Sequence, residues 1–122
     1  MSLCSGARLY LPPPEKLVGD FLSSQLRQSK ATHVSLTPTA LSTLSVESYP
    51  HLQYMIVAGE ALPNALTKSW LRYTDVWNAY GPTENTIYTT ATQCRSEEKV
   101  NIGRPTANVK ACLLYTSDAA DE

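Results

Sequence analysis

Two short stretches of small and polar residues hold side chains that could bind a nucleotide. The first, "AGEA", covers residues 58–61, and the second, "NAYGPTE", covers residues 78–84. Glycine in such a stretch lets the backbone approach a ligand closely and offers unhindered N–H donors. Tyr80 adds a flat face for a base, and Thr83 adds a hydroxyl for a phosphate oxygen. Because Glu84 adds a carboxylate suited to Mg²⁺, these residue types predict a nucleotide site with its metal.

The residues of the second stretch also fit a simpler interpretation. Gly81 followed by Pro82 is a strong local turn signal, and turns use the other residue types of this stretch as well. A strand that ends in a β-turn would explain the stretch without any ligand. The sequence contains neither GxxxxGK[ST] nor GxGxxG, the two common phosphate-binding fingerprints. On these residues alone, both interpretations stay open.

Helical patterns flank the two stretches. Apolar residues recur at helical spacing in residues 15–30 and predict an amphipathic helix with one buried stripe. Thr39 can cap a short second helix, with Leu41 and Leu44 turned inward. A third helix is predicted over residues 63–71, where proline suits the first turn.

Strands are predicted between these helices. The first should stop at Pro12, and the run over residues 54–58 is nearly all apolar, as expected of a strand buried on both faces. The predicted strands are "ARLYLPP", "THVSLTP", "LQYMIVAGE", "TDVWNAYG" and "TIYTTATQ", and "IGRPTANVKA" begins another extended segment. This alternation predicts an α/β fold, a parallel sheet with helices on its faces. Ligands bind outside the carboxyl ends of such strands, where both stretches are expected.

Composition excludes several classes of function. The 122 residues include ten basic and eleven acidic side chains, for a net charge of −1, so there is no basic patch for nucleic acid. No apolar run approaches the roughly 20 residues that cross a membrane. Cys4, Cys94 and Cys112 are far apart and lack zinc-ligand spacing, which favours reduced thiols in a cytoplasm. His33 and His51 stand alone and suit ordinary packing or surface roles.

The motifs resemble a known family. "NAYGPTEN", with "VAGEAL" roughly twenty residues before it and "IGRP" roughly twenty after it, is similar to the middle of an adenylation (AMP-binding) domain of the acyl-adenylate-forming superfamily. The form "NAYGPTE" is most like the amino-acid adenylation domains of nonribosomal peptide synthetases. The resemblance covers residues 3–111. It implies an α/β fragment of the large N-terminal subdomain of an adenylate-forming enzyme.

The resemblance implies activation of a carboxylic or amino acid. The carboxylate attacks the α-phosphorus of ATP to give an acyl-adenylate and pyrophosphate, and a phosphopantetheine thiol on a carrier-protein domain then takes the acyl group. By the same resemblance, Tyr80 stacks on the adenine, while Asn78 and the Ala79 backbone read its amino group. Thr83, on the α-phosphate, and Glu84, on Mg²⁺, are the implied catalytic residues. The implied nucleotide-binding residues are Gly59, Glu60, Ala61, Asn78, Ala79, Tyr80, Gly81, Pro82 and Thr83.

The resemblance also implies part of an acid-binding pocket. None of its residues is charged, so a neutral substrate side chain is expected, because a buried unpaired charge is expensive. Ordinary core packing of a sheet would also explain four of them, namely Ile56, Ala58, Ala79 and Ile87. The implied pocket residues are Ser35, Ile56, Ala58, Ala79, Ile87 and Tyr88.

Two other interpretations stay open. One is a fragment of an acyl-CoA or aryl-acid ligase of the same superfamily, and the other is a non-catalytic, truncated gene model. The family's upstream phosphate loop and its downstream catalytic lysine have no counterpart in these residues, so the chain alone is expected to be inactive. A small carboxylic or amino acid and a carrier-protein domain are the implied partners of the parent protein.

The carboxyl-terminal peptide "CLLYTSDAADE", residues 112–122, needs a separate explanation. It could be a strand followed by an acidic tail. It also resembles, at all eleven positions, the in-frame translation of an adapter used in sequencing libraries. We therefore expect residues 1–111 to be the native part and residues 112–122 to be an artefact. Native codons that depart from the adapter would contradict this expectation.

Overall fold

The computed structural model describes residues 2–13, 17–85 and 87–112. Helices and strands alternate along most of this length. The helical segments are two 3₁₀ turns, Leu3–Ser5 and Thr83–Asn85, and the α-helices α1 (Gly19–Ser29), α2 (Pro38–Ser42) and α3 (Asn64–Trp70). The strands are β1 (His33–Leu36), β2 (Tyr54–Val57), β3 (Asp75–Tyr80), β4 (Thr90–Gln93) and β5 (Arg104–Pro105).

The five strands form one sheet in the order β1-β2-β3-β4-β5. β1, β2 and β3 are parallel, and their register aligns Ser35 with Ile56 and Ile56 with Trp77. β4 runs antiparallel to β3 and to β5. The predicted α/β fold is confirmed, but the sheet is mixed rather than parallel throughout. Residues 81–89 join β3 to β4, and this link is shorter than the dozen or more residues that a parallel crossover needs.

The core lies against one face of the sheet. Met55 and Val57 of β2 and Val76 of β3 are fully buried there, together with residues from all three α-helices. The core residues contributed by the helices and their flanks include Leu22, Leu26, Leu41, Leu44, Leu62 and Trp70. The inward orientation predicted for Leu41 and Leu44 is therefore what the structure shows.

The opposite face of the sheet is only partly covered, so β2 is not buried on both faces as predicted. Tyr54 is 37% exposed and Ile56 is half-buried, whereas Met55 and Val57 between them are buried. This alternation is the period of a strand with one covered face. The helices predicted on both faces pack against one, the face that holds the fully buried residues Met55, Val57 and Val76.

The first predicted strand is absent from the structure. Residues 7–13 form neither helix nor strand. Instead, the Arg8 guanidinium donates to the Ser29 carbonyl at 3.0 Å, and the Tyr10 hydroxyl donates to Gln25 Oε1 at 2.7 Å. A main-chain carbonyl and a side chain of α1 thus hold this segment against the helix, away from the sheet.

Several element boundaries also differ from the prediction. The cap of α2 is Thr37 rather than Thr39, since the Thr37 hydroxyl accepts a hydrogen bond from the Ala40 N–H at 3.2 Å. Pro38 then occupies the first turn, where its missing N–H costs nothing. β4 begins at Thr90, so residues 87–89 of the predicted strand are irregular. The proposed artefact falls almost entirely outside the described residues and stays a prediction.

Among the described residues, no helix combines the length and the apolar character that crossing a membrane requires.

Candidate functional site

The exits of the three parallel strands converge on one open cavity of about 350 Å³. Its wall takes residues from the end of each strand and from the segment that returns toward β4. The described residues that line it are Ser35, Leu36, Thr37, Ala58, Gly59, Gly81, Thr83, Ile87 and Tyr88. Seven of them belong to the two implied sets of nucleotide-binding and acid-binding residues, so the structure brings parts of both sets together.

Gly81 sits where the chain folds back on itself. A Cβ there would lie 2.9 Å from the Ile87 carbonyl oxygen and 2.9 Å from Thr89 Oγ1, and nearer still to the Thr89 nitrogen. The Thr89 N–H donates to the Tyr80 carbonyl at 2.8 Å, which fixes the returning segment at this distance. Any side chain at residue 81 would therefore displace the backbone of the cavity wall.

Gly59 is required for a different reason. Its φ of +90° lies in a region that side chains disfavour, whereas a Cβ would only reach ordinary contact with Thr37 Cγ2 at 3.7 Å. The backbone turns here after β2, and residues 59–61 are exposed to solvent.

Thr83 and Glu84 stand on the short 3₁₀ turn Thr83–Asn85 beside the cavity. The turn is closed by the Asn85 N–H, which donates to the Pro82 carbonyl at 3.1 Å. Thr83 lines the cavity, and the Glu84 side chain is exposed to solvent rather than packed against hydrocarbon. Thr83 is thus accessible to a ligand in the cavity, and Glu84 is accessible from solvent beside it.

Tyr80 and Asn78 lie on the same face of β3 but differ in accessibility. Tyr80 is 56% exposed, so its ring is free to stack on a base. Asn78 is buried, and its amide nitrogen donates to the Asn101 carbonyl at 2.8 Å. This bond fixes the orientation of the amide, because a backbone carbonyl can only accept.

Two of the residues implied to bind the acid are joined by a hydrogen bond. Ser35 Oγ on β1 and the Tyr88 hydroxyl are 3.1 Å apart. Ile87 is 60% exposed with a φ of +80°, an unusual backbone for a branched residue. The side chain of Ile87 therefore stands out from the segment as part of the cavity wall and not of the core.

The remaining residues of the implied sets lie outside the cavity wall. Ala79 is buried and Ile56 is half-buried in the sheet, as ordinary sheet packing predicts for them. The other residues away from the wall are Glu60, Ala61, Asn78, Tyr80, Pro82 and Glu84. The Glu60 carboxylate is bound to Thr39 through two hydrogen bonds of 2.6 and 3.1 Å.

Two lining residues were missed at the sequence level. Leu36 ends β1 and Thr37 follows it directly, so both stand at a parallel-strand exit like the glycines. Ligands bind at the carboxyl ends of parallel strands, and this rule predicts both residues when it is applied to all three strands. Thr37 is also the cap of α2.

A metal at this site would have few protein ligands. Among residues 2–13, 17–85 and 87–112, no group of three His, Cys, Asp or Glu side chains could hold an ion. An exposed single carboxylate such as Glu84 fits Mg²⁺, which takes one or two carboxylates and fills its remaining positions with water and phosphate oxygens.

Comparison with known proteins agrees with this arrangement. The family model described as "AMP-binding enzyme" matches residues 1–120. Novobiocin biosynthesis protein H of Streptomyces niveus is 39% identical over 111 residues, which are 90% of this chain and 18% of that protein. Phosphinothricin tripeptide synthetase PhsC of Streptomyces viridochromogenes is 39% identical over 115 residues, which are 93% of this chain and 11% of that protein.

A solved structure shares the fold of the same region. The adenylation domain AlmE of Vibrio cholerae, in complex with glycyl-adenosine-5'-phosphate, matches with a TM-score of 0.60 and 28% identity. The match covers 69% of this chain and 18% of that chain. The chain thus spans less than a fifth of each of these three proteins. With nearly its whole length matched by the family model, the chain belongs to the family of AMP-binding enzymes.

Proposed function

We propose that this chain forms the adenylate-binding centre of an amino-acid-activating adenylation domain of the nonribosomal peptide synthetase type. The observation that carries the proposal is that Gly59, Gly81 and Thr83 line the same cavity as Ser35 and Tyr88. An acyl-adenylate has two parts, a nucleotide and an acyl group, and this cavity has a wall suited to each.

The nucleotide side is supported by the backbone at the strand exits. Gly59 leaves the main chain open to close approach by a phosphate, and Thr83 offers a hydroxyl to a phosphate oxygen. Gly81 contributes differently, because its missing Cβ lets the backbone of residues 87–89 close against the exit of β3. The exposed ring of Tyr80 can stack on adenine. Orientation of this kind accelerates displacement at phosphorus, because it holds the attacking carboxylate in line with the α-phosphorus.

Glu84 is the residue that would hold Mg²⁺, which when bound would neutralise charge on the phosphates. The proposal is supported by the 3₁₀ turn Thr83–Asn85, which leaves this carboxylate exposed to solvent next to Thr83 of the cavity wall. Thr83 on the same turn would orient the α-phosphate.

The acyl side is supported by its uncharged lining. Ser35, Ala58, Ile87 and Tyr88 include a hydroxyl pair and no ionised group. We therefore propose a carboxylic or amino acid with a neutral side chain as substrate. A carrier-protein domain with a phosphopantetheine thiol would accept the acyl group, and a cytoplasmic location suits the widely spaced cysteines.

The test uses a complete enzyme. Residues 3–111 of this chain replace the corresponding segment of a complete homologous adenylation domain with a known amino acid; we call this protein the swap domain. We expect the swap domain to catalyse amino-acid-dependent exchange of pyrophosphate with ATP. Thr83→Val and Glu84→Gln should each lower kcat/KM by about tenfold or more, as losses of electrostatic stabilisation do.

Glu97→Gln serves as the matched control, because Glu97 is an exposed carboxylate on a different loop. It should leave exchange unchanged. Exchange that is indifferent to Thr83→Val and Glu84→Gln would contradict the proposed site. Transfer to coenzyme A in preference to a carrier thiol would favour the acyl-CoA ligase alternative.

A further inference from the structure

The Glu60 carboxylate joins the exit of β2 to the first turn of α2. Its Oε2 atom accepts from the Thr39 hydroxyl at 2.6 Å and from the Thr39 N–H at 3.1 Å. The shorter distance is typical of a charge-assisted hydrogen bond between a hydroxyl and a carboxylate. One side chain thus links two elements that are 21 residues apart in sequence.

The first turn of α2 receives partners from two strand exits. Helix N-termini leave N–H groups without intrahelical acceptors. Thr37, which follows β1, accepts from the Ala40 N–H at 3.2 Å, and Glu60, which follows β2, accepts from the Thr39 N–H. The start of α2 is therefore the point at which the exits of β1 and β2 are tied together.

The attachment by Glu60 lies just beyond the end of the sheet ladder. The Ala58 N–H donates to the Leu36 carbonyl at 3.1 Å, and Gly59 then turns the chain with its φ of +90°. Gly59 is held on one side by the Ala58 bond and on the other by the Glu60 bond. Both Ala58 and Gly59 are part of the cavity wall, as is Thr37 opposite them.

We propose that Glu60 is a positioning residue, which braces the exit of β2 against α2 and so keeps the Gly59 backbone in place in the cavity wall. It does not bind the nucleotide through its carboxylate. A carboxylate turned toward the phosphates would repel them, whereas at the first turn of α2 its charge is favourable. The inference rests on the proposed function for what the cavity binds, but the brace itself is a contact within this chain.

The experiment compares four variants of the swap domain: Glu60→Ala, Glu60→Gln, Thr39→Val and the double variant Glu60→Ala/Thr39→Val. Glu97→Ala is the control. Hydrogen–deuterium exchange of peptides covering residues 58–62 reports on the brace without requiring activity. Pyrophosphate exchange gives KM for ATP separately from kcat.

We expect Glu60→Ala to speed deuterium uptake in residues 58–62 and to raise the KM for ATP about tenfold, the equivalent of one charge-assisted hydrogen bond, with kcat little changed. Glu60→Gln should be close to the unsubstituted swap domain, because a single amide oxygen can accept both bonds. Thr39→Val keeps the N–H donor and should show a smaller change. The double variant should resemble Glu60→Ala.

Three results would overturn the proposal. They are unchanged deuterium uptake in Glu60→Ala, a Glu60→Gln variant as impaired as Glu60→Ala, and effects of Glu60→Ala and Thr39→Val that simply add. A swap domain that folds but performs no pyrophosphate exchange before any further substitution would contradict the proposed function instead. In that case the deuterium uptake of the same variants still decides whether the brace exists.

Discussion

Gly59 and Gly81 face one cavity from the carboxyl ends of neighbouring parallel strands, yet each requires glycine for its own reason. At Gly59 the backbone has a φ of +90°, and a Cβ would make only an ordinary contact with Thr37. At Gly81 the backbone of residues 87–89 occupies the space that a Cβ would need. The two glycines thus let the main chain form the cavity wall in two ways. Gly59 adopts a backbone conformation that other residues disfavour, and Gly81 lets the backbone of residues 87–89 come close to its own.

This difference predicts unequal costs of substitution. In the swap domain, Gly81→Ala should lower stability by more than about 3 kcal/mol and abolish exchange, because backbone atoms, not a flexible side chain, must move. Gly59→Ala should cost about 1–2 kcal/mol, the usual penalty of a left-handed backbone for a residue with a Cβ. Chemical denaturation measures both.

Gly6→Ala is the matched control for the cost of placing a residue with a Cβ in a left-handed backbone conformation. Gly6 has a φ of +72°, and a Cβ there would meet nothing within 4 Å. Its cost should match that of Gly59→Ala, and its pyrophosphate exchange should be unaffected. Equal losses of stability in Gly81→Ala and Gly6→Ala would show that the crowding at residue 81 relaxes easily.

The hydrogen bond between Ser35 and Tyr88 predicts coupled effects on acid binding. Tyr88→Phe removes one hydroxyl and Ser35→Ala the other, and each should raise the KM for the amino acid severalfold, by about 1 kcal/mol. Because both changes break the same bond, the double variant should be no worse than either single one. Fully additive increases in KM would mean that the two hydroxyls act on the substrate independently.

The buried amide of Asn78 predicts that the free energy of unfolding depends strongly on its N–H donor. Asn78→Asp would set a carboxylate oxygen against the Asn101 carbonyl oxygen, and should cost about 2–3 kcal/mol of unfolding free energy in the swap domain. Asn85→Asp is the control, because its partner, Thr89 Oγ1 at 2.8 Å, can rotate and donate to a carboxylate. Equal destabilisation by the two substitutions would contradict this reading of the Asn78 bond.

The sequence predicts the elements that have strong local signals. The helices α1 and α3, the three parallel strands and the placement of Gly59 and Gly81 at one sheet edge follow from periodicity and strand direction. The motif resemblance supplied the pocket residues Ser35 and Tyr88, which no local pattern would have paired across 53 positions.

Other features depend on tertiary contacts that no local pattern contains. "ARLYLPP" has the composition of a strand, but Arg8 and Tyr10 bind α1 instead. Thr39 suits a cap, but Thr37 caps α2, and Thr39 instead binds Glu60 of a distant loop. The antiparallel return of β4 follows from the length of its connection, a signal that was present in the sequence but outweighed by the alternation of strands and helices.

The chain alone is predicted to fold marginally. β1 lies at an edge of the sheet, and the sheet face opposite the core leaves Tyr54 partly exposed. Leu11, Ile87 and Ile102 are more than half exposed as well. For a chain with this much exposed apolar surface we expect a small free energy of unfolding.

Cysteine labelling can measure whether the isolated chain folds. Cys94 is buried, and that burial raises the pKa of its thiol despite a hydrogen bond from the Asn78 backbone, so in the folded chain less thiolate is present and alkylation is slow. Cys4 is exposed and supplies an internal reference for the rate of alkylation.

In the isolated chain at pH 8 we expect Cys94 to react nearly as fast as Cys4, and pyrophosphate exchange to stay at background. In the swap domain Cys94 should be protected. Protection of Cys94 in the isolated chain, with a cooperative thermal transition, would show that these strands and helices form a stable unit without the rest of an adenylation domain.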